Sequence, residues 1–301
     1  MTKTLPHSVD ILCIGSVLWD MIGRCPSHMS QGADVPGRIT RLPGGVAMNI
    51  AMTLARFGLR PILLTAVGQD AEGRDLISAC SGLGLNTDHV YVSQDLPTDR
   101  YMAIEGANGL IAAIADAHSL EAAGDKILRP LSDGQLGSET APYDGPVALD
   151  GNLTLQLLEQ IAQSPLFAKA DLRVAPASPG KAERLMPLLR NNRATLYVNL
   201  EEASLLCHQN FDDAPTAART LVEKGAARVL VTNGGETAAE ARVGQLLTAC
   251  PPKVLVTRVT GAGDTFMAAH IAAETQGADS QAALEKALQT AAIYVSGETP
   301  L

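Results

Sequence analysis

Ile11-Leu12-Cys13-Ile14-Gly15 is an apolar run with no polar alternation and a glycine at its end. Such a run reads as a β-strand covered on both faces, the situation of a strand inside a parallel sheet. The same pattern returns at Ile62 to Val67, Val147 to Leu149, Leu172 to Ala175, Thr195 to Val198 and Val229 to Thr232. Segments with helical periodicity lie between these runs: Val46 to Phe57, Leu153 to Ala162, Lys181 to Leu189 and Ala217 to Lys224. Alternating strand and helix predicts an α/β fold.

Two stretches break the rhythm, residues 18–43 and 98–116. In the second, Tyr101 to Glu105 and Leu110 to Ile114 flank Gly106-Ala107-Asn108-Gly109. Asn108 and Gly109 both tolerate positive φ, which suits a hairpin turn. With a strand near Arg38 to Leu42, this hairpin predicts a small β-sheet lid carrying Trp19, Tyr101 and Met102. A lid implies something to cover. Leu131 to Gly145, rich in Ser, Gly, Asp and Pro, reads as a loop, because strand and helix alternate again directly after it. The expected organisation is therefore one domain over residues 1–301.

Composition narrows the function. The 301 residues are 46% hydrophobic and 18% charged, enough for a large core. Twenty-three Lys and Arg against 32 Asp and Glu give a net charge of −9, and no basic stretch is interleaved with aromatics, which argues against a nucleic-acid partner. No run approaches the ~20 apolar residues of a membrane span, and a single early Lys3 before the short run at Ile11 does not make a signal peptide. Cys13, Cys25, Cys80, Cys207 and Cys250 are scattered, odd in number and free of any Cys-x-x-Cys. That usage argues against disulfides and zinc and points to a reducing cytoplasm.

Thr260-Gly261-Ala262-Gly263-Asp264-Thr265-Phe266 runs into an Ala-rich apolar segment that reads as a buried helix. The amides of Gly261, Ala262 and Gly263 are free of bulky side chains and lie at the positive end of the helix dipole, an anion cradle for a transferring phosphoryl group. Asp264 beside them has two readings: a base that accepts the proton of an attacking hydroxyl, or a helix cap over a tight turn. Pro43-Gly44-Gly45-Val46-Ala47-Met48-Asn49 is a second glycine pair at a helix start. It is either a ligand approach with Asn49 facing a diol, or a loop with a surface Asn. No Gly-x-x-x-x-Gly-Lys-Ser/Thr, Gly-x-Ser-x-Gly or His-Glu-x-x-His is present.

The order Gly15-x4-Asp20, Gly44-Gly45-x3-Asn49, Gly68-x-Asp70-x2-Gly73, Asn199-x2-Glu202 and Gly261-Ala262-Gly263-Asp264 resembles that of the ribokinase-like (PfkB) sugar and nucleoside kinases, over nearly the whole chain. Pro36 to Val46, Ala51 to Gly58 and Ala112 to Asp116 are most similar to the pseudouridine kinases of that family. The resemblance implies a three-layer α/β/α sandwich with a mostly parallel central sheet and a small β-sheet lid. It also implies transfer of the γ-phosphoryl of ATP to the 5′-hydroxyl of a nucleoside, with pseudouridine as the leading acceptor. Ribose or another sugar is the alternative acceptor, and a catalytically impaired nucleoside-binding protein is the remaining one.

By the same resemblance Asp264 is the catalytic base, Gly261, Ala262 and Gly263 the anion hole, and Asp20, Gly44, Gly45 and Asn49 the sugar contacts. Thr98 and Asp116 on the lid face the base of the nucleoside. Asn199 and Glu202 orient the water shell of Mg²⁺ without ligating it, Thr232 and Gly234 contact the nucleotide, and the helix around Ala291, Ala292 and Val295 walls the adenine. A homodimer through the lid is also implied. Four features depart from the pattern, the slightest being Val198 in place of the Pro common before Asn199, which matters little for chemistry. Arg258 stands where relatives carry Asp or Asn, the Asp version helping to bind an activating monovalent cation. Ala175-Pro176 stands in place of Asp-Pro. The chain ends at Leu301, which implies a more open adenine pocket.

Overall fold

A computed structural model describes residues 10–30 and 32–297; Lys3 and Leu301 lie outside the described residues. The chain opens with β1 (Asp10–Ile14), β2 (Leu18–Arg24), β3 (Arg38–Gly44) and α1 (Val46–Arg56). Next come β4 (Arg60–Leu64), β5 (Ala66–Gly68), α2 (Ala71–Gly82), β6 (Tyr91–Ser93), β7 (Arg100–Gly106), β8 (Gly109–Asp116) and α3 (His118–Ala123). The second half comprises β9 (Pro146–Asp150), α4 (Leu155–Gln163), β10 (Asp171–Ala175), α5 (Met186–Leu189), β11 (Ala194–Asn199), α6 (Leu200–Cys207) and α7 (Ala214–Glu223). It closes with β12 (Arg228–Thr232), β13 (Ala238–Arg242), β14 (Gln245–Ala249), α8 (Ala262–Thr275) and α9 (Ser280–Ser296).

Eight strands form the main sheet in the order β14-β13-β12-β11-β10-β9-β1-β4. Pairings from β4 through β12 are parallel, and β13 and β14 add an antiparallel edge. The run that opens the sequence shows why both faces are covered. Leu12 and Ile14 point into the layer containing α3 to α7, Ile11 and Cys13 into the layer of α1, α2, α8 and α9. Each such side chain contributes ~1.5–3 kcal/mol by leaving water. The result is the expected three-layer sandwich.

The lid is a second sheet, ordered β3-β2-β7-β8. Its two halves are antiparallel pairs, joined through parallel pairing of β2 with β7. The turn at Ala107-Asn108 closes β7 onto β8, with Gly109 at φ 92°.

Three expectations need correction. The run Ile62 to Val67 is two strands, because at Thr65 the chain stops pairing with β1 and its carbonyl instead accepts the amide of Tyr91, leading β5 onto β6. Lys181 to Leu189 is not one α-helix: Pro179–Leu185 is 3₁₀ and only Met186–Leu189 is α-helical. Pro187 lacks the donor a continuous helix would need there. Trp19 is not an exposed lid residue. It is buried in the α1–α2 layer, donates from its indole to the carbonyl of Glu72 at 3.0 Å, and lies under the guanidinium of Arg41 at 4.2 Å.

Candidate functional site

All the parallel strands deliver their carboxyl ends to one edge of the main sheet, where ligands of such folds sit. Gly15 follows β1, Asp150 ends β9, Ala175 ends β10, Asn199 ends β11 and Thr232 ends β12. Above this edge stand the roots of the lid, and beside it the N-termini of α1 and α8.

Asp150, which sequence reasoning missed, organises the floor. Its carboxylate is fully buried and accepts the Ser16 amide at 2.7 Å, the Ser16 hydroxyl at 3.0 Å, the Ala47 amide at 3.0 Å and the Asn152 amide at 2.7 Å. Gly15 has to be glycine: its φ is +150° and a Cβ there would fall on the Asp150 carboxylate. Burial raises the pKa of Asp150, against the pull of these donors. By holding Ser16 and Ala47, Asp150 fixes the start of α1. The Ser16 hydroxyl also accepts the Val46 amide at 2.9 Å. A carboxylate directly after the apolar run Val147 to Leu149 was its one signal in the sequence.

One turn into α1, Asn49 reaches across to α8. Its Nδ2 donates to Asp264 Oδ2 at 2.8 Å. Asp264 does not cap its helix. Gly261, in the left-handed conformation, is the N-cap of α8 and no side chain caps it. The capping reading of Asp264 is thereby overturned, as is the surface reading of Asn49. Burial pushes the Asp264 carboxyl up to about 7; the Asn49 bond opposes this, and the charges of Asp150, Glu202 and Asp20 add to it. A carboxyl near 7 is poised to take or give a proton at neutral pH.

The turn before Asp264 is open. A Cβ on Gly263 would meet nothing within 4 Å. Of the three expected amides, that of Ala262 is drawn into the turn, donating to the Val259 carbonyl at 3.0 Å. Gly261 and Gly263 remain at the uncapped start of a 14-residue helix, where the dipole favours negative charge.

The other predicted residues divide. Asp20 on β2 stands over the end of β3, where a Cβ on Gly44 would collide with its carboxylate; burial raises its pKa to about 6. Gly45 has φ +99° and leaves no room for a Cβ against the Ser16 carbonyl. Asp20, Gly44, Gly45 and Asn49 thus meet where the lid joins α1. Asn199 and Glu202 form a reciprocal capping box on α6: the Glu202 amide donates to Asn199 Oδ1 at 2.9 Å, and the Asn199 amide to Glu202 Oε2 at 2.8 Å. Glu202 is only 7% exposed and burial raises its pKa to about 7, so it is not a solvated surface carboxylate.

Thr232 and Gly234 lie at and beyond the end of β12, and Ala292 is buried on α9. Asp116 is exposed at the end of β8, opposite Arg100. Thr98 is not presented to the cleft. It is 1% exposed, its hydroxyl donates to Asp70 Oδ1 at 2.6 Å and accepts the Gly68 amide at 3.1 Å, and its amide donates to Asp70 Oδ2 at 2.9 Å. Since Asp70 also caps α2 through the Gly73 amide at 2.7 Å, the Gly68-x-Asp70-x2-Gly73 motif ties the root of β7 to α2.

Residues 9–299 match the pfkB family carbohydrate kinase model. The chain is 27% identical over 263 residues to the pseudouridine kinase of Escherichia coli, covering 86% of this chain and 81% of that one. It is 28% identical over 302 residues to the guanosine-inosine kinase of Exiguobacterium acetylicum, covering 95% and 94%. A carbohydrate kinase from Agrobacterium tumefaciens superposes with a TM-score of 0.79 at 25% identity, over 95% of this chain and 90% of that one. Arabidopsis thaliana ribokinase in complex with ribose and ATP shares the fold, with a TM-score of 0.77 at 20% identity over 96% and 93%.

Proposed function

The chain belongs to the pfkB family of carbohydrate kinases, and from that premise we propose that it phosphorylates the 5′-hydroxyl of a nucleoside, pseudouridine first among them. Kinases of this type are phosphotransferases acting on hydroxyl groups, with ATP and Mg²⁺. The observation that carries the reading is the placement of Asp264: directly after the uncapped Gly261 turn and open Gly263, bonded to Asn49, and with its carboxyl near 7.

The residues fit a magnesium nucleotide. The start of α8 has no side-chain cap and space beside Gly263, and Glu202 keeps Oε1 outside the capping box while its carboxyl is held near 7. Mg²⁺ supplies charge that offsets the phosphates, and Asn199 and Glu202 would hold its water shell. Gly261 and Gly263 would hold the oxygens of the moving phosphoryl group. Asp20 and Asn49 would orient the acceptor diol. Asp264 takes the hydroxyl proton late, because phosphoryl transfer runs through a loose transition state in which positioning and charge stabilisation dominate.

Arg258 lies against Tyr294, its Nε donating to the Tyr294 carbonyl at 2.7 Å, so in this reading its guanidinium stands near the turn where relatives have a residue that helps bind a monovalent cation. The lid exposes Ile39 (77%), Ile114 (67%) and Leu110 (60%), the surface through which two copies pair. Two nucleoside kinases at 27–28% identity support a nucleoside acceptor, and deoxyribokinase and ribokinase at 25% keep a free sugar as the alternative. ATP consumption measured against pseudouridine, uridine, inosine, ribose and deoxyribose tests the assignment. Highest kcat/KM on pseudouridine supports it, and preference for a free sugar replaces it with the sugar-kinase reading.

A further inference from the structure

We propose that Tyr294, with Arg258 stacked on it, is a positioning residue that holds the Thr260–Gly261 turn in its anion-binding shape; the proposal rests on the kinase reading above. Tyr294 lies on the last turn of α9, 30 residues after Asp264 in the chain, and no motif marked it. Its hydroxyl donates to the Thr260 carbonyl at 2.8 Å. A Cβ on Gly261 would stand 2.6 Å from that same hydroxyl, so the phenol bears directly on the residue that starts α8. Gly261 has φ +85°, one of several conformations open to a glycine, and this bond selects it from outside.

Arg258 fixes the phenol in turn. Its guanidinium carbon is 3.8 Å from the Tyr294 ring centroid, and its Nε donates to the Tyr294 carbonyl at 2.7 Å. Stacking and hydrogen bonding engage opposite ends of one residue, which leaves the ring little freedom. The amides of Thr257 and Arg258 donate to the Val295 carbonyl at 2.8 and 3.2 Å, and the Thr257 hydroxyl donates to the same oxygen at 3.1 Å. The stretch 257–261 is therefore laced to the carbonyl end of α9, whose negative dipole Arg258 complements. The carbonyl end of one helix and the amide start of the next are joined by a single clamp, with the anion-facing amides just beyond it.

Tyr294→Phe keeps the ring and its stack and deletes only the bond to Thr260. The expected result is a fall in kcat of about tenfold, with KM for nucleoside and for ATP changed less than twofold, since the deleted bond runs to the Thr260 backbone. In the unliganded full-length protein, hydrogen exchange of the Ala262 and Thr265 amides, bonded to the Val259 and Gly261 carbonyls, should quicken about fivefold in this variant, while protection of β1 and β9 stays as it was. Arg258→Ala should quicken the same amides less. Unchanged exchange of the Ala262 and Thr265 amides in Tyr294→Phe overturns the clamp, as does a wild-type kcat. If the native protein phosphorylates no alcohol yet exchange quickens as stated, the clamp stands and the kinase assignment falls.

Discussion

Asn49 donates to Asp264 across 215 residues of sequence, at 2.8 Å, and this bond joins the helix leaving the lid to the helix that follows the Thr260–Gly261 turn. It also opposes the burial that lifts the Asp264 carboxyl to about 7. Replacing Asp264 by Asn keeps the shape and removes the base. Its kcat should drop by about 10³-fold, with nucleoside affinity by calorimetry within a few-fold of native. Turnover at the native rate would take Asp264 out of the mechanism.

Asn49→Ala removes the donor that lowers the Asp264 pKa. The base works ionised, so activity rises with pH through that pKa, and losing Asn49 moves the rising limb to higher pH. The kcat/KM profile of the variant should shift alkaline by about one pH unit. A loss of affinity with an unmoved limb would show that Asn49 serves the acceptor alone.

Burial sets the pH dependence of the unliganded protein. Folding raises Asp20 from 3.8 to about 6, Asp264 from 3.8 to about 7 and Glu202 from 4.5 to about 7. Between these limits the folded chain binds more protons than the unfolded one, so stability falls as pH rises from about 4 to 7 and levels off above. Glu274 works in a lower window: held near 2 by the Arg228 hydrogen bond and the charges of Arg173, His270 and Arg228 despite its burial, it adds stability above 4.5 that is lost as pH falls toward 2. Calorimetric melting should give a higher midpoint at pH 5 than at pH 8, and Asp264→Asn should narrow the gap. Equal midpoints for the native protein at both values would contradict these shifts.

Ile114→Lys places a charge on the exposed lid without touching the cleft floor. Sedimentation should show the native protein as a dimer and the variant shifted to monomer, with the fold intact by circular dichroism. A native protein that sediments only as monomer leaves the lid face to another purpose.

The central sheet was legible because doubly buried strands write themselves as unbroken apolar runs, and five of the six runs became single strands of it. Its antiparallel edge was not. Ala238-Ala239-Glu240-Ala241-Arg242 has the composition of a helix, yet it pairs with β12 and buries Glu240 against Arg228, so tertiary pairing overrode local preference. At the site, glycines in positive-φ turns and residues a helical turn apart declared themselves. Asp150 and Tyr294 did not, because each acts on backbone more than a hundred or more than thirty residues away, and such partners leave no spacing to read.

Between the last residue of β3 and the first of α1 stands Gly45 alone. β3 and the helix that carries Asn49 form one continuous beam, with a single glycine as its joint and Asp150 as its bolt. Because Asn49 on that helix also bonds to Asp264, a displacement of β3 passes through one glycine to the carboxylate that begins the far helix.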